Sequence, residues 1–336
     1  MIPEIDIASL FEGPDPARDR TDRQIMEAAH EIGFMTVRGL PGDVLSVETR
    51  RKLLSIFKLS ETDKRALTRQ NFAPENSNLY RGWFPLQDGH ATYKEGIDIG
   101  ADLVYPGRAI DPTDPLTEHT PLPDLPEWRA AATHYYRQMS ATGLALMRCI
   151  ARGLDLPENQ FDAAFTDEIS TLRLIHYPPR PDQSFGPDRA AFHVSYAGET
   201  HYLLGAAHVD SGFVTLLAQD GVEGLQAQMR DGSFVMVPPR EGALAVNFGK
   251  LLQRWSGGLI RATVHRVIGN GQPRFSIPFF FEPSIDALIA PIKGCGEPFE
   301  PVSYGDHLWE ATTRFVEQKG IAQLRQPRGP GSLLGS

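Results

Sequence analysis

The sequence predicts a mainly β fold with flanking helices, and two features of its organisation support this. From Thr171 onward the apolar runs are short and are separated by Gly or Pro, which is typical of an antiparallel sandwich or barrel. Before this point the chain contains longer segments with helical periodicity. This order, helices first and strands later, favours a single β domain that carries a helical flank.

The N-terminal part mixes strands and helices. Short apolar runs predict strands over residues 2–7 and 34–37, the second ending at a Gly. Helical spacing of apolar side chains predicts helices over 21–32 and 44–57, and the hydroxyl of Thr21 is the expected N-cap of the first.

A long helix separates this part from the strands. Apolar residues recur at helical spacing over 127–154, and Gly153 and Pro157 indicate where the helix stops. The strand-like runs that follow are short and β-rich. They lie at residues 172–177, 212–218, 225–229, 243–247, 262–267 and 275–281.

Composition excludes several classes of function. The net charge is −9, with 33 basic and 42 acidic residues among 336, so the chain repels a phosphate backbone and we expect no nucleic-acid partner. No stretch reaches the roughly 20 apolar residues that cross a bilayer. Residues 1–6 contain neither a basic leader nor an apolar signal core, and Cys149 and Cys295 do not form a disulfide framework. We expect a cytoplasmic monomer that acts on a small molecule.

Two histidines and one aspartate form a candidate metal site. His208 and Asp210 are two residues apart, so on a strand both point to one face. Such a pair arises by chance among 10 histidines and 42 acids. His265 lies 55 residues after Asp210 in another apolar β run. Two imidazoles and a carboxylate leave coordination positions open, as in iron(II) oxygenases, whereas structural zinc sites are closed. Taken alone, these residues leave open a core histidine at 265 and a loop histidine at 208.

An arginine and a serine on a later strand add a second candidate site. Arg274 and Ser276 open the strand that continues through the apolar run to residue 281, and they share one face of it, where a guanidinium and a hydroxyl can bind a carboxylate. An arginine in an apolar strand is costly unless it is paired, and the carboxylate of 2-oxoglutarate is a suitable partner. Tyr177, at the end of the first core strand, could reach the same carboxylate or simply pack there.

These residues match a known family. The chain resembles the isopenicillin N synthase-like branch of the 2-oxoglutarate/iron(II)-dependent oxygenases over nearly its whole length. The matching segments are Pro3-Glu4-Ile5-Asp6, Gly33-Phe34-Met35-Thr36-Val37, the Lys94–Gly100 run, Tyr177-Pro178-Pro179, His208-x-Asp210, Asn247-Phe248-Gly249, His265 and Arg274-x-Ser276. The resemblance implies a double-stranded β-helix (jelly roll), iron held by His208, Asp210 and His265, and 2-oxoglutarate held by Arg274, Ser276 and Tyr177.

The resemblance also implies a reaction and a division of the chain. A dioxygenase of this family uses Fe(II), 2-oxoglutarate and O2 to oxidise, most commonly to hydroxylate, an unactivated C–H bond, with release of succinate and CO2. We expect an N-terminal mixed α/β flank of the same globule at residues 1–120 and a long scaffold helix at 121–165. A jelly-roll core with both sites should follow at 166–290, and a C-terminal helix with a flexible tail at 291–336.

Two departures from the family pattern and two alternatives remain at this point. Ile175 stands where many plant relatives have an Asn, and Lys250 replaces a usual Asp. One alternative is an isopenicillin N synthase-type iron oxidase that does not require 2-oxoglutarate. The other is a non-catalytic jelly-roll protein that binds a metal or a ligand, which gives no reason for Arg274 inside a strand.

Strand alternation predicts a substrate contact. If Tyr177 faces the interior, then Ile175 and Arg173 face inward as well. An inward cation needs an anionic partner, which predicts an anionic group on the substrate unless an internal acid such as Glu199 or Glu282 pairs with Arg173. The resemblance places four aromatic side chains near the cavity as apolar walls, namely Trp83, Phe84, Phe213 and Phe280.

Overall fold

A computed structural model describes residues 1–187, 189–292 and 294–329. Its largest element is an eight-stranded sheet in which strands from both ends of the sequence are neighbours, in the order β1-β2-β11-β8-β13-β5-β4-β3. These strands are β1 (Glu4–Asp6), β2 (Phe34–Arg38), β3 (Gly82–Phe84), β4 (Glu95–Ile99), β5 (Thr171–Tyr177), β8 (Val214–Gln219), β11 (Leu244–Phe248) and β13 (Arg274–Phe281). All pairs are antiparallel except β1 with β2.

A second, five-stranded antiparallel sheet faces the first, in the order β10-β9-β12-β7-β6. Its strands are β6 (His193–Tyr196), β7 (Glu199–His208), β9 (Leu225–Gln228), β10 (Phe234–Met236) and β12 (His265–Gly269). A small hairpin-like pair, β14 (Leu288–Ile289) and β15 (Val302–Ser303), precedes the C-terminal helix. The prediction of a mainly β fold is confirmed.

Six α-helices flank the sheets within the described ranges: α1 (Pro16–Glu31), α2 (Val47–Leu54), α3 (Glu61–Ala66), α4 (Pro126–Gly153), α5 (Lys250–Trp255) and α6 (Tyr304–Thr312). Helix α1 begins earlier than predicted, because the Asp15 carboxylate caps the amide of Arg18 and Pro16 occupies the first turn. Thr21 is therefore inside the helix and is not its N-cap. The predicted tail after residue 329 lies outside the described residues.

The large sheet divides the apolar side chains between its two faces. Along β13, Ile277, Phe279 and Phe281 join the main core against α4, whereas Arg274 and Ser276 point to the opposite face. That opposite face packs against the second sheet through a smaller cluster. The members of this cluster from both sheets include Ile175, Tyr177, Leu204, Leu225, Ala227, Ala245 and Val267. The interior between the two sheets is where polar residues of β5 and β13 gather.

Two strand boundaries differ from the prediction in ways that affect the site. The strand predicted over 262–267 begins only at His265, and its register with β7 shifts after that residue. The strand predicted over 212–218 begins at Val214, so the preceding Ser211 and Gly212 lie in the turn that follows Asp210. Of the helices in the described ranges, none combines the length and the apolar composition needed to cross a membrane.

Candidate active site

The predicted metal-binding residues come together at one end of the second sheet. His208 is the last residue of β7 and lies directly opposite His265, the first residue of β12. Asp210 follows two residues after β7, and Nε2 of each histidine lies 3.6 Å from its Oδ1. One ligand atom from each of the three residues lies within 4.8 Å of the others, a separation that a single ion can bridge.

Hydrogen bonds orient both imidazole rings for coordination. Nδ1 of His208 donates to the carbonyl of Ala206 at 2.8 Å, and Nδ1 of His265 donates to the carbonyl of Thr263 at 3.1 Å. Each bond places the proton on Nδ1 and leaves the lone pair of Nε2 directed at the shared point. Burial and the neighbouring His265 lower the pKa of His208 to about 4, so its ring is neutral, as a metal ligand must be, at neutral pH.

The aspartate is held in a similar way. Its Oδ2 accepts hydrogen bonds from the hydroxyl of Thr215 at 2.6 Å and from the amide of Asn247 at 2.7 Å. Oδ1 is thereby left to face the histidines. Although burial opposes ionisation, the two imidazoles and these hydrogen bonds keep the pKa of Asp210 below its usual value. Sequence reasoning missed Thr215. It could have been inferred because Thr215 is the first polar residue of the apolar strand that follows the His-x-Asp pair.

The second predicted site lies on the same interior face. Arg274 and Ser276 are each only 1% exposed, and the Arg274 guanidinium lies 5.2 Å from the centre of the Tyr177 ring, its cross-strand neighbour. Nη2 of Arg274 donates to the side-chain oxygen of Gln219 at 3.3 Å. Among the described residues, Nε and Nη1 of Arg274 and Oγ of Ser276 are buried without any hydrogen-bond partner. Buried polar atoms without partners are rare and call for a ligand.

A cavity of about 310 Å³ is bordered by His208 and Asp210 of the candidate metal site. Tyr177 and Thr215 line it, and Phe213 and Phe280 supply apolar wall. The C-terminal segment around Phe315 covers it, with the Phe315 ring centred 6.1 Å from that of His208. The cavity is thus enclosed by both sheets and by residues far apart in sequence.

The aromatic walls expected from the sequence are only partly present. Phe213 and Phe280 line the cavity, whereas Trp83 is on the opposite face of the sheet in the main core, where its ring packs against Phe57. The short strand β3 alternates, so Phe84 turns to the cavity side, where its ring lies 5.3 Å from the Arg173 guanidinium. Trp83 is therefore not a wall of this cavity. Phe84 does not line the cavity itself but packs against Arg173, which does.

Arg173 lines the cavity as strand alternation predicts, but it has an internal partner. Its Nε and Nη2 donate to the two oxygens of Asp98 at 2.5 and 2.8 Å. The same carboxylate accepts a hydrogen bond from the fully buried Arg69. Sequence reasoning named Glu199 and Glu282 as the internal acids that could pair with Arg173, and neither does so within the described part of the chain. Asp98 could have been recognised as the partner because it is an acid between two isoleucines of a strand. A buried acid of this kind needs a cation beside it.

A second ion pair ties the C-terminal segment to this network. Nζ of Lys94 lies 2.9 Å from the buried carboxylate of Glu317, and Arg69 also donates to the Glu317 carbonyl. Burial alone would raise the pKa of Glu317, but the ammonium of Lys94 and the guanidinium of Arg173 lower it to about 2. The network formed by Arg69, Arg173, Lys94, Asp98 and Glu317 therefore contains three cations and two carboxylates, one excess positive charge, although Arg69 itself is fully buried and does not line the cavity.

The shared carboxylate leads to a prediction about stability. Replacing Asp98 by Ala leaves the guanidinium groups of Arg69 and Arg173 buried without their common counter-charge, and breaking a buried pair in this way costs about 3–5 kcal/mol. We expect D98A to lose unfolding free energy in this range in urea titrations. A matched control is Asp286→Ala, which removes a half-exposed carboxylate bound to Arg328 and should cost less than about 1 kcal/mol. Equal losses in the two variants would contradict this interpretation.

The residues present fit a divalent metal and a dicarboxylate. Two imidazoles and one carboxylate, each fixed by a hydrogen bond through its other polar atom, suit iron(II). The unpartnered guanidinium and hydroxyl of Arg274 and Ser276 suit a carboxylate. A jelly-roll-like pair of facing sheets with such a donor set is the arrangement of non-haem iron oxygenases.

Comparison with known proteins agrees with this class. The family model described as "2OG-Fe(II) oxygenase superfamily" matches residues 168–283. The 2-oxoglutarate-dependent dioxygenase htyE of Aspergillus rugulosus is 30% identical, with 84% of this chain and 88% of htyE covered. The 2-oxoglutarate-Fe(II) type oxidoreductase hxnY of Emericella nidulans is 28% identical over 90% and 85% of the two chains. A full-length Neurospora crassa protein, solved in complex with alpha-KG and 5-formyluracil, superimposes with a TM-score of 0.74 at 26% identity, covering 93% of this chain and 95% of its own.

The chain belongs to the 2-oxoglutarate/iron(II)-dependent oxygenase superfamily. It is accordingly an oxidoreductase of the dioxygenase type that uses Fe(II), 2-oxoglutarate and O2, and its core is a double-stranded β-helix. The fold and the enzyme class predicted from the sequence are confirmed, and the interpretation that requires 2-oxoglutarate is favoured over the oxidase and the non-catalytic alternatives.

Proposed function

We propose that His208, Asp210 and His265 hold the iron and that Arg274 and Ser276, with Tyr177 beside them, hold the far carboxylate of 2-oxoglutarate. The observation that carries the second assignment is the set of buried, unpartnered atoms on Arg274 and Ser276 among the described residues. They share the inward face of β13 with Phe280, which lines the same cavity as the metal residues. Burying a guanidinium without a counter-charge is costly, and an anionic cosubstrate supplies that charge.

The chain's own residues then have distinct tasks. When bound at this site, iron and 2-oxoglutarate would supply the electrons that activate O2, of which one oxygen atom enters succinate as CO2 is released and the other oxidises a C–H bond of the substrate. Thr215 and Asn247 fix the Asp210 carboxylate, so its free oxygen stays directed at the metal position. Phe280 and the C-terminal segment 308–318 exclude water from the space beside the triad.

We further propose that the substrate is a small organic molecule and that the reaction is hydroxylation of one of its C–H bonds. The cavity of about 310 Å³ has the size of a small-molecule site. The similar Neurospora crassa protein was solved with alpha-KG and 5-formyluracil, which is a small molecule. The acidic chain has no expected nucleic-acid partner, and a monomer located in the cytoplasm remains our expectation, to be tested by light scattering and cell fractionation.

An anionic group on the substrate remains part of the proposal because Arg173 lines the cavity and belongs to an ion-pair network with one excess positive charge. We expect Arg173→Gln to lower kcat/KM for an acid substrate at least tenfold and to lower kcat/KM for the matched amide by a smaller factor. The reason is that one charge-assisted hydrogen bond contributes about 1.5–3 kcal/mol. Because Arg173 also binds Asp98, the melting temperature of the variant is measured alongside. An equal loss on the acid and the amide would mean that Arg173 is a scaffold residue.

Oxygen consumption tests the function as a whole. The iron-loaded protein should consume O2 and release succinate only when 2-oxoglutarate is present, and a substrate should accelerate both. A screen of small organic acids and amides for accelerated succinate release then identifies the substrate. Oxygen uptake that is independent of 2-oxoglutarate would instead support an oxidase.

A further inference from the structure

An acidic side chain that the proposed iron and 2-oxoglutarate sites do not use faces the substrate side of the cavity. Glu282 follows directly after β13, two residues beyond Phe280 on the same inward face. It is 6% exposed, and its carboxyl group reaches the cavity that contains His208 and Asp210. A buried acid in such a place needs either an internal partner or a ligand.

Internal partners for the Glu282 carboxyl are almost absent. Within residues 1–187, 189–292 and 294–329, no Lys or Arg nitrogen lies within ion-pair distance of it and no donor makes a hydrogen bond of normal geometry to it. The polar group beside it is the buried hydroxyl of Tyr304, which likewise makes no hydrogen bond of normal geometry in these ranges. A Cβ at Gly212 would lie 2.9 Å from Oε1 of Glu282 and 3.4 Å from this hydroxyl. Tyr304 can supply one hydrogen bond but no charge.

The absence of a counter-charge affects the ionisation of this group. Burial raises the pKa of Glu282 to about 7, although Tyr304 and the more distant Arg81 act in the opposite direction. A ligand cation beside the carboxyl would offset the cost of burying the charged form. The same cation would find the second carboxyl oxygen available, because Tyr304 can occupy only one.

The position of Glu282 is suitable for substrate recognition. Thr215, whose hydroxyl binds Asp210, is the cross-strand neighbour of Phe280, so Glu282 lies about 7 Å further along the strand from that point. On the other side of Phe280, the Arg173 guanidinium lies 5.5 Å from the ring centre. The cavity therefore has a positive wall at Arg173, an apolar ring at Phe280 and a negative group at Glu282.

We propose that Glu282 binds a protonated amino group of the substrate, whose acidic group faces Arg173. The substrate class is thus a compound of the amino-acid type that carries both an ammonium and a carboxylate. This inference rests on the proposed function and deepens it, because it assigns the second pole of the same substrate site. Tyr304 supports the carboxyl and makes no contact with the substrate.

The experiment uses the iron(II)-loaded enzyme with saturating 2-oxoglutarate. Each standard amino acid is assayed for accelerated succinate release beside the same carboxylic acid without its amino group. For the active amino acid, affinity is also measured calorimetrically under anaerobic conditions in wild type, Glu282→Gln and Tyr304→Phe. We expect wild type to prefer the amino acid at least tenfold in kcat/KM, since a charge-assisted hydrogen bond contributes about 1.5–3 kcal/mol.

The variants separate recognition from a structural role. E282Q should reduce the preference to below about threefold and weaken amino-acid binding about tenfold, with unchanged iron content and KM for 2-oxoglutarate. Y304F should retain the preference. The inference is overturned if wild type uses the deaminated acids equally well, if E282Q keeps the preference, or if Y304F loses it to the same extent. A wild type that forms no succinate from 2-oxoglutarate with or without any compound would contradict the proposed function itself.

Discussion

We expect the replacement of His208 or Asp210 by Ala to abolish turnover, because the variant protein should no longer retain iron. Both side chains supply one of three donor atoms that lie within 4.8 Å of one another, and two remaining donors do not hold an iron ion in a defined geometry. Since loss of an outer hydrogen-bonding partner alone typically costs 10–100-fold in metal affinity, loss of a ligand should cost more than about 100-fold. Iron content after anaerobic loading and succinate release measure the two effects.

The same variants should remain folded. His208 is partly exposed to the cavity, and the hydrogen bonds of the Asp210 carboxylate come from Thr215 and Asn247, so D210A should lose no more than about 1–3 kcal/mol of unfolding free energy. A matched control is His201→Ala, which removes a half-buried imidazole from the same strand β7 and should leave iron content unchanged. Iron at the wild-type level together with normal turnover in H208A and D210A would refute the assignment of the ligands.

The residues brought together at this site were identifiable in the sequence because each breaks a local rule. Arg274 is a cation in an apolar strand, and His265 is an imidazole beside apolar β residues, so each needs an explanation other than packing. Strand alternation also correctly turned Arg173, Ile175 and Tyr177 to one face, because the period of a strand is fixed at two residues.

What sequence reasoning missed depends on contacts between distant segments. The pairing of Asp98 with Arg173 and Arg69 requires the register of β4 against β5, which no local pattern specifies. The placement of Trp83 failed for a related reason. On the three-residue strand β3, a shift of one residue decides which of Trp83 and Phe84 faces the cavity. The C-terminal cover that carries Glu317 could not be foreseen, because its docking depends on Lys94, more than 200 residues earlier.

Replacing Arg274 by Leu should sharply weaken the use of 2-oxoglutarate without affecting iron. Removing one partner of a buried charge pair costs roughly 2–5 kcal/mol, and about 1.4 kcal/mol corresponds to a factor of ten, so the KM for 2-oxoglutarate should rise by about 30-fold or more. Iron content should stay at the wild-type level, because the triad makes no contact with Arg274 through any hydrogen bond or ion pair in the described residues. Succinate release as a function of 2-oxoglutarate concentration gives the KM.

A second consequence distinguishes a cosubstrate role from a structural one. Without ligand, Arg274 is a buried guanidinium whose Nε and Nη1 have no partner among the described residues. Burying such a group opposes folding, so its replacement by Leu should not lower the melting temperature of the ligand-free protein. Wild type should gain stability as 2-oxoglutarate is added, since a ligand that binds only the folded state stabilises it, and R274L should gain almost none. Arg266→Leu is the matched control, because Arg266 lies on β12 and binds Gln226. If R274L melts well below wild type without ligand and keeps the 2-oxoglutarate-dependent shift, Arg274 supports the fold and the cosubstrate binds elsewhere.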